Sequence, residues 1–95
     1  MTIERHILVG RDVYSRDDQR VGEVRGVTAD AEFVIVARPL SGDLLVPMNG
    51  LHETGGRLET RCDASSLDGA PGADPDHLTL DDRRRLEEFY RSLAA

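Results

Sequence analysis

Along the first sixty residues, apolar positions come in short runs broken by turn formers, the pattern of strands rather than of helices. Leu8 to Val27, LVGRDVYSRDDQRVGEVRGV, holds two such runs around a charged centre, Arg16-Asp17-Asp18-Gln19-Arg20. Aspartates favour tight turns there because their side chains bond the backbone a residue or two onward. The stretch reads as a bent hairpin, with Asp12 to Ser15 as its first arm and Arg20 to Val27 as its second. Val21, Val24 and Val27 repeat at a helical spacing, but Gly22 and Gly26 would each cost a helix interior about 1 kcal/mol. A bulged strand resolves the conflict. Each bulge inserts one residue and switches the face to which the later side chains point, so bulges near the two glycines return all three valines to one interior. Bulges of this kind let small sheets curl towards barrels.

The rest of the chain continues in short elements. Met1 to Arg5 is expected as a frayed or docking end, and His6-Ile7-Leu8-Val9 as an apolar lead that turns at Gly10. Phe33-Val34-Ile35-Val36-Ala37 is apolar on both faces, which predicts a central strand with the sheet's interior on one side. A second subunit or the C-terminal helix would cover the other side. Arg38 to Asp43 is a turn, Leu44-Leu45-Val46 a strand ending at Pro47, and Met48 to Leu51 a bend. His52-Glu53-Thr54 and Arg57 to Cys62 then make a hairpin about Gly55-Gly56, with Leu58, Thr60 and Cys62 on one face. Five or six strands are expected in all, roughly the density of a small barrel.

Beyond Cys62 the composition turns to Ala, Ser, Gly, Pro and Asp, and Pro71, Gly72 and Pro75 oppose regular structure. Thr79 suits a helix N-cap with Asp82 three residues on. The helix it opens carries Leu86, Phe89, Tyr90 and Leu93 on one stripe, and Glu87 is placed to pair with Arg91. The chain thus divides into a β domain over 1–62, a linker over 63–78 and a helix over 79–95. Periodicity leaves open whether the helix packs on its own sheet or on another subunit.

Composition narrows the function classes. With 95 residues, 39% hydrophobic content, 4% aromatics and no tryptophan, the core is thin, and oligomerisation would help it. The net charge of −6 disfavours direct nucleic-acid binding, which draws mainly on cations that displace counterions. Every basic residue is arginine. The single cysteine, Cys62, excludes an internal disulfide and reads as a half-buried strand residue. Without a signal-like apolar run or a stretch of membrane-spanning length, the expectation is a cytoplasmic protein with no membrane contact.

Candidate chemistry is sparse. His6, His52 and His77 lie too far apart for an ordinary zinc pattern. His52 and Glu53 are strand neighbours pointing to opposite faces, and Asp74-Pro75-Asp76-His77 lacks the ligand run and glycine turn of an EF-hand. Cys62, Ser65 and Ser66 have no base assigned by spacing, and Glu53 and Glu59, which straddle the last hairpin, read as exposed acids rather than as a carboxylate pair. Gly55-Gly56 lacks the signature of a phosphate loop. Arg83-Arg84-Arg85 sits among Asp81, Asp82, Glu87 and Glu88, as on a salt-bridged helix surface. No catalytic set, metal or cofactor is expected.

One resemblance runs through these elements. Gly10-Arg11-Asp12-Val13, the polar turn to Gln19-Arg20, Val21-Gly22-Glu23-Val24 leading to Val27, Leu45-Val46-Pro47, Leu51 and Gly55-Gly56-Arg57-Leu58 succeed one another as in the PRC-barrel family. The chain from Ile7 to about Cys62 resembles that small β-barrel, found in the photosynthetic reaction-centre H subunit and in ribosome maturation factors, and is similar to a stand-alone bacterial branch. Where the family often has glycine, this chain has Asp18 or Gln19, which leaves the turn type open. Nothing in it resembles the maturation factors' RNA-associated domain or the reaction-centre subunit's membrane anchor. The resemblance implies a mainly β, antiparallel PRC-barrel-like fold, and the C-terminal amphipathic helix from Thr79 onward lies outside it. The resemblance further implies a non-catalytic interaction or adaptor module, and the thin core, the doubly apolar Phe33 to Ala37 strand and the helix stripe add the expectation of a homodimer with a further protein partner. The contact candidates are Phe33, Ile35, Leu86, Phe89, Tyr90 and Leu93. The alternative is an accessory factor in ribosome or RNA processing acting through protein contacts; a metal-assisted hydrolase using His52, Glu53 and the acidic linker ranks last.

Overall fold

Two bulges shape the opening hairpin in the computed structural model, which describes residues 8–55 and 57–94. Strand β1 (Asp12–Tyr14) pairs antiparallel with β2 (Arg20–Val27), Val13 facing Gly22 and Tyr14 facing Arg20, so Val21 is the extra residue. Between β2 and β3 (Phe33–Ala37), Val24 faces Val36 and Gly26 faces Ile35, so Arg25 is extra. Each bulge abuts one of the two glycines, and Val21, Val24 and Val27 all pack into the same core, as the spacing predicts.

The glycines serve different ends. A Cβ on Gly22 would stand 2.2 Å from the Ala37 carbonyl oxygen and 2.9 Å from Val36 Cγ1, so β3 passes where any side chain would be. Gly26 has room, its nearest neighbour being Ile35 Cδ1 at 3.9 Å. In the β1–β2 turn it is Asp18 that takes the left-handed conformation, with φ of 68°, which aspartate tolerates better than most residues. Buried Ser15 ties the turn together: its hydroxyl donates to the Asp17 carboxylate and accepts the Gln19 N–H at 3.1 Å.

β4 (Leu44–Pro47), a 3₁₀ turn (Met48–Gly50), β5 (Leu51–Thr54) and β6 (Arg57–Thr60) complete a six-stranded sheet of order β4-β3-β2-β1-β6-β5. The sheet is mixed, which corrects the antiparallel expectation: β6 runs parallel to β1. The cause is local. Met48–Gly50 bends the chain without reversing it, so β5 keeps the sense of β4 and β6 returns in the sense of β1.

That corner also shapes the sheet. Laid flat, six strands would put the outer two about 24 Å apart, whereas the link from Pro47 to Leu51 spans at most about 14 Å. The sheet therefore curls until its two edges approach at the corner. Among the described residues no ladder joins β4 to β5, so the curled sheet stays open.

Alternation along β3 and β4 divides the apolar residues between two clusters. Val34, Val36, Leu44 and Val46 face the interior with Leu8, Val13, Val24 and Leu58. Phe33, Ile35 and Leu45 face outward onto Leu86 of helix α2 (Leu80–Ala94). Of the two covers left open for β3, the chain's own helix is the one found. Each fully buried side chain of this size contributes roughly 2 kcal/mol.

The helix begins as its sequence predicts: Asp82 N–H donates to Thr79 Oγ1 at 3.0 Å and Thr79 N–H to Asp82 Oδ2 at 3.2 Å. Its ion pairs differ from expectation. Arg85 pairs with Asp81 and Asp82, while Glu87 and Arg91 do not pair with each other. The segment expected as a plain linker is docked: a single turn, α1 (Ala64–Leu67), puts Leu67 into the interior at 1% exposure. Ala70 joins Leu67 in that cluster, while Ala73 and Leu78 pack on the outer one. Leu8 is fully buried within a turn, while His6, Ile7 and Gly56 lie outside the described residues.

Candidate functional site

The open edge of β4 is where helix and sheet meet most closely. Thr28 N–H donates to the Phe33 carbonyl at 3.0 Å, and Phe33 N–H to Thr28 Oγ1 at 3.2 Å, so Phe33 and Ile35 turn their backbone groups towards β2. Leu45, opposite Ile35, consequently points its own N–H and C=O off the free edge. The Tyr90 hydroxyl donates to that carbonyl at 2.6 Å, and its ring packs against both apolar clusters. Tyr90 thus plugs the seam at which a closed sheet would have its last ladder. Burial, reinforced by Cys62 nearby, pushes the Tyr90 hydroxyl above its ordinary value, so it remains a proton donor.

Beside Tyr90 lies a groove of about 1000 Å³ between the last turns of α2, the Pro47–Leu51 corner and the end of β6. Its floor is apolar, with Phe33, Val46, Met48, Leu51 and Tyr90; Leu93 and the half-buried thiol of Cys62 also line it. Glu32, Arg61, Glu87 and Arg91 are the exposed, charged members of the lining. One side of this rim is already committed. Arg83 binds the Glu32 carboxylate and lies 3.3 Å from Asp30, anchoring α2 to the β2–β3 turn. The Glu32 bond, outweighing partial desolvation, holds the Arg83 guanidinium above its ordinary value.

Ion pairing is otherwise extensive. Arg11, Arg16, Arg20, Arg25, Arg38 and Arg57 each have a carboxylate partner, as do Arg83 and Arg85. Among the described residues, Arg61, Arg84 and Arg91 form no ion pair, and two of those three line the groove. The Arg83-Arg84-Arg85 cluster is mainly salt-bridged, as its acidic neighbours in sequence suggest.

The six contact candidates separate. Phe33, Ile35 and Leu86 are buried within the chain, at 2%, 5% and 0% exposure, so cis packing of α2 removes Ile35 and Leu86 from any open surface. Phe33 still contributes to the groove floor, together with Tyr90 and Leu93. Phe89 stands edge-on to Tyr90, with ring centroids 5.1 Å apart, and its ring edge also approaches Gly69. Sequence reasoning missed Met48, Arg61 and Arg91 as groove residues, since their juxtaposition depends on the corner and on the seat of the helix.

The chemically suggestive residues are dispersed. His52 Nε2 lies 3.6 Å from Glu59 Oε1, whereas Glu53 pairs with Arg11, so the strand neighbours take different partners and the two glutamates do not meet. His77 Nδ1 is 3.3 Å from Asp74 on an exposed turn, and Ser65 and Ser66 belong to α1. Among the described residues no histidine lines the groove with Cys62, and no group of three or more His, Cys, Asp or Glu is placed to hold a metal ion.

Fold and site together define a mainly β protein whose open, curled sheet is sealed at one edge by a helix, with an apolar groove at the seal. No protein-family model matches the chain, and no curated protein matches it. Among the described residues, no helix is long and apolar enough to cross a membrane.

Proposed function

We propose that this protein is a PRC-barrel-like, non-catalytic interaction module that self-associates as a homodimer and meets its partners at the groove beside Tyr90. The observation that carries the reading is the groove itself: an apolar floor with a charged rim, the usual make-up of a contact surface, at a seam of the sheet. The approach of the sheet's two edges at Met48–Gly50 supports the likeness to a barrel. A thin core with 4% aromatics gains from burying this surface against a second chain.

The test is the mass of the full chain in solution by light scattering, from micromolar to near-millimolar concentration. The full chain is the proper object, since removing α2 would strip the cover from Phe33, Ile35 and Leu45. Twice the single-chain mass of 10.5 kDa is expected at the upper concentrations. A single-chain mass throughout would refute self-association.

A further inference from the structure

Glu87 and Arg91 sit one turn apart on α2, at the spacing and in the order that favour an ion pair within a helix, yet among the described residues neither forms one. Arg85 is spent on Asp81 and Asp82, and Arg83 reaches off the helix to Glu32 and Asp30. Glu87 acts on Arg83 only at a distance, through its charge. Both Glu87 and Arg91 are exposed and both line the groove. On a chain that pairs eight of its arginines, an unspent acid and an unspent base on one exposed turn form a self-complementary patch.

We infer that two copies meet through the exposed Glu87–Arg91 face of α2, antiparallel across a two-fold axis that passes midway between those two residues, with Glu87 of each copy paired to Arg91 of the partner subunit. The inference rests on the self-association proposed above and specifies its surface. Residues 87 and 91 lie on one face of the helix, one turn apart, so an antiparallel helix pair centred midway between them along the axis sets each opposite the other. A two-fold makes every such contact twice. Arg61, on the facing side of the groove and also without an ion pair among the described residues, adds a second cation to the patch. For a molecule of net charge −6, this local alternation of sign lets two copies approach without like charges in register.

Charge exchange in the full-length protein tests the arrangement. Glu87→Arg sets two arginines against each other at both symmetry-related contacts, and Arg91→Glu does the same with two glutamates. Each single variant should weaken the dimer roughly tenfold, on the ordinary strength of exposed pairs, with unchanged circular dichroism because both positions are exposed. An equimolar mixture of the two variants restores opposite charges at both contacts, as does the double variant Glu87→Arg/Arg91→Glu; both should dimerise like the parent protein. The losses should shrink at high salt. A parent dimer indifferent to the single exchanges, or a mixture that fails to recover, would overturn this surface while leaving self-association standing. A monomeric parent protein would refute both.

Discussion

Replacing Gly22 by alanine puts the packing of the sheet to its sharpest test. The new Cβ would lie 2.2 Å from the Ala37 carbonyl oxygen and 3.1 Å from its carbonyl carbon, both backbone atoms that cannot swing aside. Carbon–oxygen contacts ordinarily begin at about 3.3 Å, so β2 and β3 must separate locally by about 1 Å. A ladder bond stretched by that much passes out of hydrogen-bonding range, beginning at the Glu23–Ala37 rung. Overpacking of this kind costs typically 1–3 kcal/mol, and each lost ladder bond adds about 1 kcal/mol. The expected loss is about 3 kcal/mol, out of roughly 5–14 kcal/mol for a domain of this length. The melting temperature should fall by more than about 10 °C. Urea unfolding monitored by far-ultraviolet circular dichroism measures it, and Gly26→Ala is the control, since its Cβ would meet only Ile35 Cδ1 at 3.9 Å. That control should lie within about 0.5 kcal/mol of the parent protein, or gain slightly from a less flexible unfolded chain. Equal midpoints for Gly22→Ala and the parent, or equal losses at the two glycines, would refute the close-approach argument.

Three further outcomes depend on particular side chains. Ala31 has a φ of 60°; Ala31→Gly should relieve about 1–2 kcal/mol of left-handed strain and lose about 0.4–1 kcal/mol to unfolded-chain entropy, for a net gain of about 0.5–1 kcal/mol, and a lower melting temperature would contradict it. Tyr90→Phe removes the donor to the Leu45 carbonyl at the sheet's free edge and should cost about 1 kcal/mol in urea unfolding; an unchanged midpoint would mean that this hydroxyl does not seal the edge. Asp17, Asp30, Asp74 and Asp82 are held below the ordinary carboxylate range, chiefly by the Ser15 hydroxyl, the Thr28 hydroxyl, the Asp76 N–H and the Thr79 N–H respectively. The unfolded chain therefore takes up protons first, so their stabilisation is complete at neutral pH and is lost as pH falls from about 5 through the folded values. A urea midpoint that stays constant between about pH 5 and pH 3 would sink that linkage.

Patterns along the chain settle what depends on neighbouring residues. The two bulges were legible because three valines at helical spacing conflicted with two glycines, and only a bulged strand satisfies both. The doubly apolar Phe33–Ala37 strand and the Thr79–Asp82 cap were legible for the same reason, since alternation and capping act over a few residues. The groove was legible only in part, through Phe33, Tyr90 and Leu93.

The rest arises only when the elements pack together. Nothing near β1 announces that β6, more than forty residues later, will lie parallel to it; that arises from a corner at Met48–Gly50 that bends without reversing. The burial of Leu67 in a segment rich in Pro, Gly and Asp required an opening in the sheet's interior for one leucine to fill. An amphipathic stripe states that a helix must cover something but not what, and the answer came from the outward faces of Phe33, Ile35 and Leu45 in the same chain. Once α2 was seated there, Tyr90 met the free Leu45 carbonyl and the groove beside it gathered Met48, Arg61 and Arg91 from three separate parts of the chain. Local patterns fix which face of each element is apolar; only the packed sheet fixes which faces meet.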